Sequence, residues 1–275
     1  MARFNYLLWA MSRYLLADKS CPSCSSSETH LIKRKYLVTS LYECASCKLR
    51  FRVPKDSQVK NQEFYQDDYT EGFTTELPSD DELSRMLSSS FKGMEKDLSP
   101  DLNILKLIGL QPGQSVYDFG CSWGYASWQL RQAGYKVYSF EIGRSRARFA
   151  KEKLGCIFEE PLEPVDCFFS SHVIEHLPDP NILWKTASRI LKPGGIVYLL
   201  MPNGEPHRES SVAGYHSIWG EAHPLLLNAE ALQHMAKRHQ FKGACYSTPY
   251  DESLIRAGIP AVELNGDGLL FVARR

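Results

Sequence analysis

The chain has 275 residues, 43% of them hydrophobic, and its 32 Lys and Arg balance its 32 Asp and Glu. This length suits one α/β domain with a small appendage, and the apolar fraction excludes wholesale disorder. A net charge of zero disfavours a dedicated nucleic-acid-binding protein, which depends on a basic excess. The sequence has no uncharged apolar run of about 18 residues, the length that would predict a membrane-spanning helix.

The first segment, residues 1–19, predicts an amphipathic helix. Its apolar residues recur at helical spacing on one face: Phe4, Leu7, Leu8, Met11 and Leu15. We expect this helix to pack on its own domain or on a second subunit. Aromatic and basic neighbours leave a peripheral membrane contact as the alternative. No small-residue cleavage site follows, so a secretory signal is not predicted.

Four of the eight cysteines form two C-x-x-C pairs, Cys21 with Cys24 and Cys44 with Cys47. The other four are isolated, a pattern typical of a metal site in a reducing compartment, so we expect a cytoplasmic protein. The segment between the pairs, Thr29 to Tyr42, predicts a β-hairpin. Residues 20–56 are therefore predicted to form a zinc ribbon. Four thiolates leave no position for water, so the zinc would be structural.

The ribbon and the segment after it carry opposite charges. Residues 20–55 contain seven basic and two acidic side chains, whereas residues 61–84 contain eight acidic and no basic ones. We expect residues 57–97 to form an acidic connector and a lead-in helix that reaches Leu98, with Ser79 or Asp80 as its N-cap. The opposed charges predict that the connector folds back on the ribbon or across the neighbouring domain.

The most informative motif runs from a predicted strand, Val116 to Phe119, through a glycine-rich turn into a helix. Gly120 and Gly124 let backbone N–H groups approach a ligand closely. The next predicted strand ends at Glu141, 23 positions after Asp118, where a carboxylate can bind both hydroxyls of a ribose. These features predict a nucleoside site on a doubly wound sheet.

Two common nucleotide motifs are excluded by the same residues. The G-x-G-x-x-G pattern would need glycine at Ser122 and Tyr125, and no Gly-Lys-Ser/Thr follows the turn as a P-loop requires. The acid at Asp118, just before the first glycine, would repel a pyrophosphate and suits a ligand that carries a positive charge.

From residue 98 to 275 the chain resembles the class I S-adenosylmethionine-dependent methyltransferases. Residues 116–124, 166–180 and 191–202 are similar to the first motif, the fourth strand with its turn, and the fifth strand of that family. The resemblance implies a Rossmann-like, mostly parallel α/β sheet of seven strands with the last antiparallel, and S-adenosylmethionine as cofactor. It assigns cofactor binding to Asp118, Gly120, Ser122, Gly124, Glu141, Ser170 and Ser171.

Several histidines follow the fourth strand and could supply a general base or contact the substrate. We expect His223 first, because its loop resembles the family's substrate wall, and then His176 and His216. Alternatively, His176 and Glu175 brace the loop beside the cofactor. A third possibility is a divalent-metal site of His172, Glu175 and His176, since related quinone O-methyltransferases carry acid and histidine at similar positions.

The leading functional prediction is O- or C-methylation of a small molecule or glycan. A ribbon ahead of the domain resembles the layout of bacterial sugar C-methyltransferases. Because some rRNA methyltransferases carry an N-terminal zinc module, an RNA methyltransferase is one alternative, although the neutral charge and acidic connector disfavour nucleic acid. A non-catalytic interaction module is another. Tyr65 and Tyr69 are predicted to form a lid, as in related enzymes.

Overall fold

The structure is a computed structural model. It describes residues 8, 10–14, 16–35, 37–63 and 76–275, and residues 10–14 are helical. Much of the predicted N-terminal helix and both predicted lid residues, Tyr65 and Tyr69, lie outside the described residues. Among the described residues, no helix combines the length and apolar character needed to cross a membrane.

The strands and helices alternate along most of the chain. Their bounds are β1 (Thr29–Lys35), β2 (Thr39–Cys44), β3 (Arg50–Val53), α1 (Gln58–Glu63), α2 (Asp80–Ser88), α3 (Ser99–Leu107), β4 (Ser115–Phe119), α4 (Tyr125–Gln132), β5 (Lys136–Phe140), α5 (Arg144–Leu154), β6 (Val165–Ser171), α6 (Asn181–Ile190), β7 (Leu191–Pro202), β8 (Leu225–Leu226), α7 (Ala229–Arg238), β9 (Lys242–Ser247), α8 (Glu252–Ala257) and β10 (Gly268–Arg274). Short 3₁₀ turns cover Ile174–His176, Pro206–Glu209 and Tyr215–Ile218.

The larger sheet has the strand order β5-β4-β6-β7-β10-β9. Strand β4 is parallel to β5 and β6, and β6 is parallel to β7, whereas β10 is antiparallel to both of its neighbours. The predicted mostly parallel, Rossmann-like α/β sheet with its last strand antiparallel is therefore confirmed. Helical connections between parallel strands explain why the strand order does not follow the chain order.

The predicted number of seven strands is wrong, because this sheet has six. The missing strand is the third of the seven in chain order, which would lie near residues 156–158, between α5 and β6. There the backbone meets the sheet edge through a hydrogen bond from the Ser139 N–H to the Ile157 carbonyl, at 2.7 Å. Pro161 and Pro164 follow, and proline has no N–H to donate to a strand ladder. The segment therefore leaves the sheet before a strand is established.

Alternating side chains on the strands bury both faces of this sheet. Cys167 and Phe169 of β6 pack on one face with Leu130 of α4. Phe168 points to the other face, into a cluster that includes Trp184 of α6. Because both faces are covered, the strands are almost continuously apolar, and the carboxyl ends of β4, β5 and β6 are the exposed edge at which a ligand can bind.

The ribbon forms a second, antiparallel sheet of order β1-β2-β3-β8. The predicted hairpin between the cysteine pairs is confirmed as β1 and β2. Strand β8 comes from the chain between β7 and α7, so the ribbon sheet is completed by a segment from the part of the chain that forms the larger sheet. Leu49 and Phe51 lie in the same buried cluster as Trp184 and Leu225. The two segments therefore share one hydrophobic core.

Helix α2 confirms Ser79 as an N-cap. The Ser79 hydroxyl accepts the Glu82 N–H, and the Glu82 carboxylate accepts the Ser79 N–H at 2.8 Å, a capping box. The predicted extension of this helix to Leu98 is wrong, because Ser90 and Phe91 adopt positive φ angles of 51° and 64°. The turn places Phe91 in a buried cluster with Trp123, so tertiary packing ends the helix.

Candidate functional site

The turn between β4 and α4 is shaped by close backbone approaches. Gly120 has φ +84°, and a Cβ atom there would lie 2.3 Å from Val173 Cγ2. Gly124, the N-cap of α4, has φ +91°, and a Cβ atom there would lie 2.7 Å from Cys156 Sγ. Both positions therefore require glycine for conformation and for space. The turn leaves the N-terminus of α4 facing the carboxyl ends of the strands.

Glu141 follows β5 and lies on the wall of the cleft beside this turn. One carboxylate oxygen accepts the Ser122 N–H at 3.0 Å, and the other accepts the Gly143 N–H at 2.6 Å. Arg146 Nη2 lies 3.3 Å from the carboxylate. These contacts hold the carboxylate beside the glycine-rich turn, and its assignment to a ribose stays a prediction.

Asp118 lies beneath the turn, 2% exposed, and is not among the residues that line the cleft. Its carboxylate accepts a hydrogen bond from Ser127 Oγ at 2.6 Å, and Ser127 contacts Ser139. Burial raises the pKa of Asp118 to about 7. Its side chain therefore braces β4 against α4, and its assignment to the cofactor stays a prediction.

The two serines at the end of β6 have different positions. Ser170 is buried, and its hydroxyl donates to the Phe119 carbonyl at 3.0 Å. Ser171 lines the cleft. Only the second serine is placed to contact a ligand directly, while the first ties β6 to β4.

The cleft at this sheet edge has a volume of about 330 Å³. One end is formed by the glycine-rich turn, Glu141 and Arg146, and the other by the segment after β6. Helix α1 adds side chains that the sequence did not predict, among them Asn61, whose amide donates to the His176 carbonyl at 3.0 Å. The apolar wall after β6 consists of Val173, Leu177, Pro178 and Ile182.

His172 and Glu175 form a dyad at the mouth of β6. His172 lines the cleft, its side chain is about half exposed, and its Nδ1 lies 3.2 Å from Glu175 Oε1. Desolvation of the ring lowers the pKa of His172, but the hydrogen bond to Glu175 and its negative charge outweigh it, so the pKa lies above its ordinary value. From the sequence, His172 is expected only as a ligand of the alternative metal site; its i, i+3 spacing from Glu175 is the signal that predicts the pair.

His176 and His223 are brought together, with ring centroids 4.5 Å apart and the rings nearly perpendicular. The Nδ1 of His176 donates to the Ala222 carbonyl at 2.8 Å, and the Nδ1 of His223 donates to the Ile218 carbonyl at 3.0 Å. Burial lowers the pKa of His176 to about 4. His176 lines the cleft and His223 lies behind it.

His216 lies elsewhere, at the interface between the ribbon and the loop after β7. Its Nε2 contacts Lys33 Nζ and lies 3.6 Å from Glu209. It does not line the cleft. Of the three histidines predicted for catalysis, the structure groups His176 with His223 and separates His216 from them.

The four cysteines of the ribbon converge, with all sulfur atoms within 4.8 Å of one another. The Cys21–Cys47 and Cys24–Cys44 sulfur distances are both 3.5 Å, and none of the four is in a disulfide. A tetrahedron of thiolates around zinc, with bonds of about 2.3 Å, has edges of about 3.8 Å. The cluster therefore has the dimensions of a four-thiolate metal site.

Residues 90–246, more than half of the chain, match the family profile described as "Methyltransferase domain". The chain belongs to this methyltransferase family. The matched residues include the glycine-rich turn and strands β4 to β7 of the Rossmann-like sheet.

Similar curated proteins include two ubiquinone biosynthesis O-methyltransferases. That of Leptothrix cholodnii is 26% identical over 118 residues, which are 38% of this chain and 50% of that protein. That of Bordetella avium is 28% identical over 117 residues, 38% of this chain and 48% of that protein. The chain thus spans about half the length of these relatives.

Solved structures with a similar fold share little sequence with this chain. A methyltransferase from Mesorhizobium loti is 16% identical with a TM-score of 0.47, covering 65% of this chain and 97% of that one. The plantazolicin methyltransferase BpumL, solved with S-adenosylhomocysteine, is 13% identical with a TM-score of 0.48, covering 78% and 94%.

The residues of the cleft fit S-adenosylmethionine. The Gly120 position has no space for a side chain, which keeps the backbone open to a ligand, and Glu141 is fixed beside it. The cleft is also within the size range of small-molecule sites. The opposite wall of the cleft carries the apolar residues and His172.

Proposed function

We propose that this enzyme methylates a hydroxyl oxygen of a small, hydroxylated aromatic molecule. The observation that carries this proposal is the His172–Glu175 dyad on the wall of the cofactor cleft. A hydroxyl acceptor needs a group to take its proton, and an imidazole fixed by a buried carboxylate is suited to that role. The names of the curated relatives, which are O-methyltransferases, support the same reaction type.

The cofactor end of the cleft would be held by the turn from Gly120 to Gly124, by Glu141 on the ribose and by Ser171 near the methionine end. When bound, S-adenosylmethionine supplies an electrophilic methyl group on a sulfonium centre and leaves as a neutral thioether. The protein contributes mainly orientation, which is worth on the order of 7–11 kcal/mol in favourable cases.

The acceptor end is where this chain's own side chains act. His172 Nδ1 donates to Glu175, so Nε2 is the nitrogen that accepts a proton. It takes the hydroxyl proton as the acceptor oxygen bonds to the methyl carbon and the carbon–sulfur bond breaks. The products are a methyl ether, the thioether and a protonated imidazole, whose charge Glu175 compensates.

The apolar wall favours an aromatic acceptor over a sugar. Val173, Leu177, Pro178 and Ile182 offer apolar contacts to a ring and no hydrogen-bonding side chains. C-methylation of a sugar is the alternative, and the polar side chains of α1, with Thr186 and Arg189 on the same cleft, are the ones that would bind its hydroxyls.

RNA is disfavoured by how the basic side chains of the ribbon are used. Arg50 and Arg52 are 6% and 1% exposed and bind Glu43 and Asp56 within the chain. Lys35 donates to the carbonyls of His216 and Trp219 at 2.7 and 2.8 Å. These three of the seven basic side chains are committed to internal contacts and are not available to phosphates, whereas Arg34 is exposed.

We also infer that Cys21, Cys24, Cys44 and Cys47 bind one structural Zn²⁺. Support comes from the thiolate geometry and from the small size of the ribbon, which metal binding would stabilise. The cysteines Cys44 and Cys47 belong to the core cluster that continues into the methyltransferase domain. Zinc would therefore stabilise the ribbon, whose residues pack on the core of the methyltransferase domain. It would take no part in methyl transfer.

The test is methyl transfer to a panel of catechols, phenols and quinols, with monosaccharides and tRNA as competing acceptor classes, followed by mass spectrometry. We expect a methyl ether from the aromatic class and a loss of about 10²–10⁴ in kcat for His172→Ala. Binding of S-adenosylhomocysteine by calorimetry should be unchanged, which separates catalysis from folding. Methylation confined to sugars or RNA, or full activity of His172→Ala, would refute the proposal.

A further inference from the structure

Both turns of the cysteine cluster are bound by side chains of the methyltransferase domain. Asn181, the first residue of α6, donates from Nδ2 to the Ser23 carbonyl at 3.0 Å and to the Pro22 carbonyl at 3.3 Å. Arg238, the last residue of α7, donates to the same Ser23 carbonyl at 2.5 Å. The first C-x-x-C turn, residues 21–24, therefore contacts the ends of two helices.

The second C-x-x-C turn, residues 44–47, is held by the other end of α7. Asn228, the N-cap of this helix, donates from its amide to the Lys48 carbonyl, just after the turn, at 3.0 Å and accepts the Ala231 N–H at 2.8 Å. Asn228 is 3% exposed. The two ends of α7 therefore bind the two turns of one cluster.

Asn181 also belongs to the segment that forms the apolar wall of the cleft. It lies between Pro178 and Ile182, both of which line the cleft. Its backbone N–H and its amide donate to Asp179 Oδ1 at 2.9 and 2.7 Å. Its side-chain oxygen accepts from His239 Nε2 at 3.1 Å. One side chain therefore connects the first cysteine turn, the start of α6 and the end of α7.

We propose that Asn181 is a positioning residue, which fixes the apolar wall of the cleft by binding the first cysteine turn. Apolar contacts are not directional, so those of Pro178 and Ile182 do not define where the wall lies along the cleft. Hydrogen bonds do, because each one restricts both a distance and an angle. The hydrogen bonds of Asn181 set the position of the wall relative to the turn.

The cysteine cluster therefore influences binding of the acceptor. Thiolate bonds to a metal ion hold a C-x-x-C turn in one shape, so the Pro22 and Ser23 carbonyls face Asn181 in a fixed position while the cluster is closed. Loss of the ion would release the turn and, through Asn181, the wall. The roles of the ion and of an acceptor rest on the proposed function, whereas the coupling of the turn to the wall does not.

The first experiment is amide hydrogen exchange of the full-length protein, measured by mass spectrometry of its peptides. Asn181→Asp keeps the size of the side chain and places a negative charge where the start of a helix favours one. It removes the amide that donates to the two carbonyls of the turn. Asn103→Asp, the same change at an exposed asparagine of α3, is the matched control and should equal the wild type.

The expected result in Asn181→Asp is faster exchange on both sides of the contact. We expect exchange about tenfold faster in residues 20–26 and in residues 174–180, the loss that two hydrogen bonds predict. Residues 116–124, with the glycine-rich turn, should exchange as in the wild type. Faster exchange confined to residues 20–26, or in neither segment, would overturn the proposal.

A second measurement uses the wild type alone and so does not depend on a variant that folds. After a chelator removes zinc, residues 174–180 should exchange faster relative to residues 116–124, and reloading with Zn²⁺ should restore the original rate. Equal acceleration of both segments would overturn the proposal. Wild type that retains no zinc after dialysis against Zn²⁺ would contradict the zinc assignment alone, and Asn181→Asp would still decide the coupling.

The consequence for the reaction is measured by acceptor kinetics. We expect KM for an aromatic acceptor to rise about tenfold in Asn181→Asp. The kcat and the affinity for S-adenosylhomocysteine should be unchanged, since β4, β5 and α4 form the cofactor end of the cleft. A lower kcat with unchanged KM would show a purely structural role and overturn the positioning role. If no aromatic hydroxyl is methylated, the proposed function alone is contradicted, and hydrogen exchange decides the coupling.

Discussion

The guanidinium of Arg52 in the ribbon donates a hydrogen bond to the carbonyl of Glu221, at 2.9 Å, in the loop that carries His223. The same nitrogen reaches the Gly220 carbonyl at 2.9 Å, and the Arg52 side chain is 1% exposed. The next residue, Ala222, offers its carbonyl to His176. The ribbon thus positions the backbone that orients a histidine of the cleft.

Replacing Arg52 tests this coupling. Arg52→Met removes the hydrogen-bond donors to three carbonyls, those of Pro54, Gly220 and Glu221, and the cation beside the Asp56 carboxylate. Breaking a buried pair in this way costs about 3–5 kcal/mol. We expect a loss of that order in unfolding free energy, together with a lower kcat/KM. Affinity for S-adenosylhomocysteine should change little, because the cofactor end does not depend on this loop.

Denaturant unfolding, acceptor kinetics and calorimetry measure the three quantities. Arg34→Met is the matched control, since Arg34 is an exposed residue of the same sheet. Lost cofactor affinity with unchanged acceptor kinetics would contradict the proposed coupling.

The close contact between Gly120 and Val173 predicts that a second substitution restores part of the stability lost in a Gly120 variant. In Gly120→Ala the new Cβ would meet Val173 Cγ2 at 2.3 Å, and the left-handed φ adds about 1–2 kcal/mol of strain. We expect lower stability and weaker binding of S-adenosylhomocysteine. The double variant Gly120→Ala/Val173→Ala should recover the part that is due to the clash. A thermal-shift series of the two single variants and the double variant would measure this, and strict additivity would show that the two residues do not compete for space.

The pKa of Asp118 predicts a pH dependence of stability. Burial raises it to about 7 from 3.8, so between pH 4 and 7 the folded state keeps a proton that the unfolded state releases. Stability contributed by this group is therefore present at low pH and is lost as pH rises through 7. The stability of wild type relative to Asp118→Asn should fall by up to about 1.4 kcal/mol per pH unit across this window.

Paired denaturant titrations of the two proteins at pH 5, 6, 7 and 8 would measure this difference. The Asn variant can still accept the Ser127 hydroxyl, so the packing is retained. A difference that stays constant with pH would show that Asp118 has an ordinary pKa.

If the cysteine cluster holds zinc as proposed, removal of the ion should lower the stability of the whole protein. The cysteine cluster lies in the same buried core as Leu49, Phe51 and Trp184. Unfolding of the ribbon would therefore expose the apolar face of the larger sheet on which these residues pack. We expect a strong zinc chelator to lower the melting temperature by several degrees and to increase fluorescence of a dye that binds apolar surface. Melting of the ribbon as a separate, earlier transition with an unchanged main transition would contradict the shared core.

Local patterns predicted the features that depend on local chemistry. The C-x-x-C spacing located the cysteine cluster, and the choice of Ser79 or Asp80 as an N-cap located a helix start, because both features involve neighbours in the chain. The position of Glu141 followed in the same way from the strand–turn–strand order.

Features that depend on distant partners could not be predicted. Strand β8 has only two residues, and they lie in an apolar run that shows neither helical nor strand periodicity. It is a strand only because it pairs with β3. The pairing of His176 with His223 likewise depends on how the loop after β7 returns to the sheet. Phe91 ended a helix that the local pattern continued, because its packing with Trp123 outweighs helical propensity.

The pairing of β3 with β8 also limits how the protein can be divided. The family match begins at residue 90, after the ribbon. A fragment that begins there would lose β3, and the Leu225–Leu226 strand would become a bare edge above an uncovered apolar face. Such edges recruit strands from other molecules. The smallest fragment expected to stay monodisperse in solution therefore includes the ribbon, even though the residues that match the methyltransferase family lie outside the ribbon.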